Sequence, residues 1–512
     1  MGKGVVSHSM GKSLIILDTT LRDGEQAPGV LMSPNEKIAI ARKLELMNVN
    51  IIEAGFAASS AADFKSINSI SSVVKDCTIC SLARANRSDI ELASEALKPA
   101  SRSRIHTFIA TSEIHIRNKL RTSPEQVYET AKAAVRFARK FTDDVEFSPE
   151  DCSRSNIDFL SSLLECVITE GANTINITDT VGFETPGSFG SLVKRIKENI
   201  PNSDKVVFSV HCHNDLGLAV ANTLSGIKQG GARQVECTVN GIGERSGNAP
   251  LEEVVMALNT KHHLFDICSQ VDTKQLLSLS ALVSKCSGLT IHPTKPIVGQ
   301  NAFAHASGIH QDGILKCRET YEIMNAKDIG WKKNNIVLGK LSGSSAFKYK
   351  LKELNVRLNK ARVIDLFHSF KHLASIHNIT NSDINALTLT STDHSIANKP
   401  ISLAQFYFCY SFNHGSYSRT TFILPNGSSL SNESFNQSSL TSIAACINSF
   451  HSLEAQLKTY SCLLKEQTYI TNLVIKKNRL EQTEHSIKTK DIIQAFTTAY
   501  SSSLINSINR YG

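Results

Sequence analysis

Between residue 14 and about residue 262 the chain alternates short apolar runs rich in β-branched residues with amphipathic stretches. The runs are "LIILDTT" from Leu14, "NIIEAGF" from Asn50, "TICSLA" from Thr78, "RIHTFIAT" from Arg104, "DVEFSPE" from Asp144, "TINITDT" from Thr174, "VFSVHCH" from Val207 and "QVECTVN" from Gln234. Each has strand length, and the segments between them carry helix signals. In "SPNEKIAIARKLELMN", Ser33 is placed to cap a helix, Pro34 to occupy its first turn and Glu36 to complement its dipole. Strands alternating with helices predict parallel βαβ units. Eight units in roughly 250 residues have the period and length of a (β/α)8 TIM barrel, with a doubly wound sheet as the alternative.

Past the repeats the pattern changes twice. Residues 281–390 read as a helical linker subdomain, carrying "NAFAHASGIHQDGILK" and "YEIMNAKDIG". Residues 391–512 mix strand-like alternation ("ISLAQFYFCYSF", "YSRTTFIL") with helix-like "LTSIAACINSFHSLEAQL" and "KDIIQAFTTAYSSSLINSI", which suggests a small α+β domain of two sheet-plus-helix units. The expected organisation is a disordered extension over 1–13, a catalytic α/β barrel over 14–280, the linker, and this last domain.

A barrel makes a demand on its polar residues, because catalytic groups sit at the carboxyl ends of the strands. They cluster there. Arg22, Asp23 and Glu25 follow the first run, Glu53 lies in the second and Arg84 follows the third. His106 and Thr107 lie in the fourth, Glu146, Ser148 and Glu150 in the fifth, Asp179 and Thr180 in the sixth; the seventh ends in His211 and His213, and the eighth leads into "NGIGERSGN". Charged residues within apolar strands are costly unless paired or functional.

Residues two apart on a strand share a face, so His211 and His213 can present both imidazoles to one point. A bare H-x-H equally describes two histidines satisfied by backbone groups, and a third ligand decides between the readings. The first and seventh strands of a closed eight-stranded barrel lie two positions apart, which lets Asp23 face the histidines. One Asp and two His leave open positions on a divalent ion, and the set suits Mn, Mg, Zn or Co. Such an ion can hold a 2-oxo acid and polarise its carbonyl. Arg22 could stabilise a developing enolate or simply form a rim ion pair with Glu53 or Glu150.

Composition narrows the partners. The formal charge is +8, but Lys and Arg form no basic block, so no nucleic-acid surface is expected and small acidic substrates are favoured. The twelve cysteines are scattered; "CTIC" at Cys77–Cys80 lies within a strand pattern whose alternation separates the sulfurs, and free thiols suit a reducing cytoplasm. No apolar run reaches the roughly 20 residues of a membrane span, and the opening "MGKGVVSHSMGK" has no signal-peptide core. "GKS" at Gly11 and "GIGERSG" at Gly241 have the wrong spacing for phosphate or dinucleotide loops.

The long motifs "LDTTLRDGEQAPGV", "HTFIATSEIHIRNKL", "VEFSPEDCSRS", "NITDTVG", "HCHNDLGLAVAN", "NGIGERSGN" and "SGIHQDGILK" resemble the 2-isopropylmalate synthase family, which also holds homocitrate and citramalate synthases. The resemblance runs from about residue 14 to 355. It implies a metal-assisted Claisen condensation of acetyl-CoA with 3-methyl-2-oxobutanoate that releases 2-isopropylmalate and CoA. Carried onto this chain, it implies Asp23, His211, His213 and Asn248 as metal ligands and Arg22 as the enolate-stabilising group. His106, Ser148, Glu150 and Thr180 would line the oxo-acid pocket, with Glu150 also placed among the catalytic residues. His310 and Tyr321 would be supplied by the neighbouring subunit of a domain-swapped homodimer, with His310 in the general-base relay. Read without the family, His310, like His305, is an ordinary structural histidine.

Two departures stand out. Relatives carry an arginine where "LGKLSGSSA" has Ser344. The family's leucine-binding domain depends on glycine-rich turns, yet 391–512 retains only Gly415, Gly427 and Gly512, and twelve serines fall between 401 and 450. A degenerate regulatory domain with weak or absent leucine inhibition is therefore expected. The rival readings are a synthase for another 2-oxo acid, a metal-dependent acyl-CoA lyase or aldolase, and a non-catalytic leucine sensor. The extended linker with "SGIHQDG" argues against the lyase, and the intact Asp23, His211, His213 and Glu150 argue against the sensor.

Overall fold

The computed structural model describes residues 12–332, 335–376 and 378–389, and six strands between 402 and 489. Eight parallel strands close into a barrel in chain order: β1 (Ile15–Asp18), β2 (Ile51–Phe56), β3 (Thr78–Arg84), β4 (Ser103–Ala110), β5 (Val145–Glu150), β6 (Thr174–Asp179), β7 (Val207–Cys212) and β8 (Gln234–Cys237). β1 pairs with both β2 and β8, through Leu17–Ile51 and Leu17–Glu236, which closes the ring. The TIM barrel predicted from the alternation is the fold, and each strand falls within two or three residues of its apolar run.

The helices form because their starts are capped. Ser33 accepts from the Glu36 amide, and the Glu36 carboxylate accepts from the Ser33 N–H at 2.8 Å, a reciprocal capping box with Pro34 behind it. Ser60, Asn86, Ser123 and Asn156 cap later helices more simply, each side chain accepting from a first-turn amide. Ile16, Ile52, Ile79, Ile105, Phe147, Ile175, Val210 and Val235 point outward from the strands into the apolar layer beneath these helices, and all are 3% exposed or less. Their neighbours along each strand point inward, following the two-residue period.

The barrel interior is apolar only in part. Leu17, Ile51 and Cys80 pack together. Arg104 donates to Glu146 and to Gln234 at 2.8 Å each, and Gln234 donates to Glu146 at 2.7 Å, so a polar network replaces the branched aliphatic filling usual in this fold. Desolvation pushes the Glu146 carboxyl up to about 7 against the pull of Arg104. Cys77 and Cys80 are both buried and unpaired with each other, Cys77 bonding the Val49 carbonyl.

The described chain divides into two units, 1–304 with 322–335, and 305–321 with 336–512. The first unit thus extends past residue 280. The helix Leu276–Ser287 contributes Leu276, Leu279 and Val283 to the barrel's apolar layer, as do Ala326 and Ile329. Lys12 and Ser13, in the segment expected to be disordered, pair in parallel with Ile267 and Cys268. Residues 1–11 lie outside the described residues.

In the second unit the helices Gly308–Lys316, Ser344–Glu353, Lys360–Ile376 and Asn381–Leu389 carry a small core around Phe347 and Phe370, whose rings stack at 4.9 Å. Ser344 is the first residue of its helix. Farther on, Ser402–Ser411, Gly415–Ile423 and Ser429–Phe435 form one antiparallel sheet, and Ala455–Lys465, Thr468–Lys477 and Glu481–Thr489 form another. The helix expected to run to Leu457 overlaps the strand that starts at Ala455; the rest of it, and the helix expected from Lys490, lie outside the described residues. Among the described residues no helix is long and apolar enough to cross a membrane.

Candidate metal centre

At the carboxyl end of the barrel, β7 carries His211 as its penultimate residue and ends at Cys212, with His213 directly after it. β1 leads into a turn in which the Thr19 hydroxyl accepts from the Asp23 N–H at 3.2 Å. Asp23 Oδ2 lies 3.5 Å from Nε2 of His211 and 3.6 Å from Nε2 of His213. Ligands about 2.1 Å from one ion lie roughly 3.0–3.4 Å apart, and the three atoms, all within 4.8 Å of one another, need only small shifts to share a divalent cation. All three residues are buried, at 3–6% exposure.

Asn248 reaches the same point from the loop after β8, bridged through its backbone to His213. Its Oδ1 is buried without a hydrogen-bond partner. An acceptor left bare in this way fits a ligand position better than a packing role. Burial, and then the neighbouring His211, push the His213 imidazole down to about 4, which keeps a lone pair available at ordinary pH. Burial alone would raise the Asp23 carboxyl, but Arg22 and the two histidines outweigh it and hold it below its ordinary value. The backbone leaves room for this: a Cβ on Gly243 would stand 2.1 Å from Asn248 Nδ2 and 3.2 Å from Asp23 Oδ1.

Of the two roles its sequence position allowed, the ion pair with Glu53 is present. Its Nε donates to Glu53 at 2.6 Å, and its Nη1 lies 3.2 Å from Asp23, so the rim ion pair holds the guanidinium beside the ligand set. Glu53 also accepts from the Thr19 hydroxyl at 2.6 Å and meets His106 Nδ1 at 2.7 Å. Burial would lower the His106 imidazole, but the Glu53 carboxylate outweighs it and raises it to about 9. Nε2 of His106 lies 2.7 Å from the Ser148 hydroxyl.

These groups open onto a cavity of about 300 Å³ whose wall includes Arg22, Asp23, His106, Ser148, Glu150, Thr180, His211 and His213. Glu150 pairs with Lys119 at 2.5 Å, and the Thr180 hydroxyl accepts from the Asp151 N–H at 2.9 Å. His310 and Tyr321 belong to the second unit, where their rings lie 4.2 Å apart.

Several polar residues at the strand ends turn away from the cavity. Glu25 pairs with Lys37 and Arg84 with Asp89, while Asp179 braces its own loop by accepting from Ser153, Phe183 and Glu184. Asn214 and Asp215, which follow the histidines, are loop devices. Asn214 accepts from the Ala219 N–H, and Asp215 pairs with Arg245, which also donates to the Thr180 carbonyl at 2.6 Å. Sequence reasoning passed over Leu82, Phe108, Lys119, Asn176, Glu236 and Arg245, all on the cavity wall. The signal for Asn176 and Glu236 was present, since each is a polar residue inside an apolar strand on the inward face.

Comparison with known proteins agrees with this geometry. A family model described as HMGL-like matches residues 13–283, and one described as homocitrate synthase post-HMGL domain-like matches 297–378. The 2-isopropylmalate synthase of Paraburkholderia phymatum is 63% identical over 366 residues, 71% of each chain; that of Burkholderia vietnamiensis is 62% identical over the same span. The Burkholderia pseudomallei enzyme is 59% identical over 403 residues, 77% of this chain and 78% of its own. With a barrel whose mouth gathers an Asp, two His and an Asn, and with this level of identity over most of its length, the chain belongs to the 2-isopropylmalate synthase family.

Proposed function

We propose that the chain condenses acetyl-CoA with 3-methyl-2-oxobutanoate and water to give 2-isopropylmalate and CoA, the first committed step of leucine biosynthesis. The observation that carries this reading is the convergence of Asp23, His211 and His213, whose ligand atoms all lie within 4.8 Å of one another, beside a clamped arginine, at the mouth of a small cavity.

A divalent ion held by Asp23, His211, His213 and Asn248, Mn or Mg by preference with Zn or Co as alternatives, would polarise the keto carbonyl of the oxo acid. Arg22, fixed between Glu53 and Asp23, offers a permanent cation to the oxyanion that develops when the acetyl methyl loses its proton. Thr180 and Ser148 bring hydroxyls to the cavity, while Leu82 and Phe108 give it an apolar side suited to a branched alkyl group. Its volume, at the low end for ligand pockets, fits a five-carbon acid and leaves the bulk of CoA outside. Glu150, His310 and Tyr321 would manage the proton and the water that hydrolyses the thioester, His310 and Tyr321 coming from the partner of a homodimer with shared sites.

The test is direct. Incubation with both substrates should yield 2-isopropylmalate by mass spectrometry, chelation should abolish it, and added Mn or Mg should restore it. Full turnover by a His213→Ala chain stripped of metal would sink the reading.

A further inference from the structure

Beneath the ligand set lies a buried carboxylate that the reaction does not use. We propose that Glu236, on β8, is a positioning residue that orients His211 and thereby sets the affinity of the site for its metal. This rests on the metal reading above and goes beyond it by assigning control of that site to a residue outside the proposed ligand set.

Glu236 is 1% exposed, and a carboxylate is rarely so deeply buried without a specific partner. Its Oε2 lies 2.7 Å from Nδ1 of His211, while Nε2 of the same ring faces Asp23. An ionised carboxylate can only accept, so Nδ1 must carry the proton; in the neutral ring that leaves the lone pair on Nε2, where a ligand atom is needed. The two histidines therefore differ. Nδ1 of His211 has a carboxylate oxygen 2.7 Å away, close enough to fix the ring though off the ideal hydrogen-bond line, whereas Nδ1 of His213 is buried with neither a hydrogen bond nor an ion pair among the described residues.

The other oxygen of Glu236 is also engaged. Asn176 Nδ2 donates to Glu236 Oε1 at 3.0 Å and to Ser148 Oγ at 2.9 Å, spending both of its protons. From Ser148 the contacts continue through His106, Glu53 and Arg22 to Asp23. Two of the metal ligands, Asp23 and His211, thus stand at opposite ends of one chain of buried polar contacts. Glutamine at 236 has nearly the same shape but only one acceptor atom. It must turn an NH2 toward either His211 or Asn176, donor against donor, and it removes the charge that makes His211 a stronger ligand.

The experiment is calorimetric titration of MnCl2 into the chelator-stripped full chain, wild type beside Glu236→Gln and Asn176→Ala, with thermal unfolding of each in chelator. Glu236→Gln is expected to bind Mn about 10- to 100-fold more weakly, and Asn176→Ala severalfold more weakly, with metal-free melting temperatures near that of the wild type. Wild-type affinity in Glu236→Gln, with or without a lowered melting temperature, overturns the proposal, because a merely structural residue would move stability and leave affinity alone. Should Glu236→Gln fail to fold, Asn176→Ala decides: weakened binding supports the proposal and wild-type affinity overturns it. Absence of saturable Mn binding in the wild type would instead remove the metal reading on which the proposal stands.

Discussion

At the scale of single residues, the legible part was whatever shared a face with something unusual. His211 and His213 announced themselves by their two-residue spacing, and Asp23 could be assigned to them once the barrel put β1 two strands from β7. Glu53, Asn176 and Glu236 were harder, because one polar residue in an apolar run does not say what it meets across the barrel. Only the closed fold brings residues as far apart as 176 and 236 within hydrogen-bond range. Asp18 shows the same limit outside the cavity. Desolvation pushes its carboxyl up to about 7, against hydrogen bonds from the Thr20 amide and hydroxyl. Because the folded state holds this proton more tightly than the unfolded chain, stability is full below about pH 4 and is lost as pH rises to about 7, by at most about 4 kcal/mol. Asn at this position keeps the contacts to Thr20 and does not titrate. Asp18→Asn should therefore melt at a higher temperature than the wild type at pH 8, with the gap closing toward pH 4; a pH-independent gap would show that the carboxyl is not the cause.

At the scale of elements, strands and helix starts were readable because capping, proline position and hydrophobic period act locally. The loop after β8 was readable only as a motif. Its glycines are there for backbone reasons: Gly247 has a φ of +83°, and a Cβ on it would stand 1.9 Å from the Gly241 carbonyl oxygen. Backbone on both sides cannot give way, and Asn248 follows directly. Gly247→Ala should cost about 1–3 kcal/mol of stability and weaken metal binding as well. Gly187, in the first turn of a helix with nothing within 4 Å of its added Cβ, is the contrast, and Gly187→Ala should be neutral or gain up to about 1 kcal/mol. Thermal unfolding of the pair checks both; equal effects would mean that the tight approach at Gly247 does not matter.

At the scale of the whole molecule, the barrel was legible because each of its eight units repeats the same pattern, whereas the division between units was not. The structure carries the first unit past residue 280 because Leu276, Leu279 and Val283 complete the barrel's own apolar layer, a contact between distant segments that composition does not mark. If the proposed homodimer shares its sites, mixing inactive His310→Ala with inactive Asp23→Ala protomers should regenerate activity; mixed dimers that form and stay inactive would refute the sharing. The scarcity of glycine after residue 391 predicts that leucine at micromolar concentration leaves the initial rate unchanged, and saturable inhibition there would contradict it. The central claim is a metal-assisted condensing site fitted to a branched five-carbon oxo acid. Its most direct test is kcat/KM for CoA release from acetyl-CoA across a panel of 2-oxo acids, with and without chelator. The account predicts the highest value for 3-methyl-2-oxobutanoate and none without metal; a preference for pyruvate or 2-oxoglutarate, or turnover that survives chelation, would contradict it.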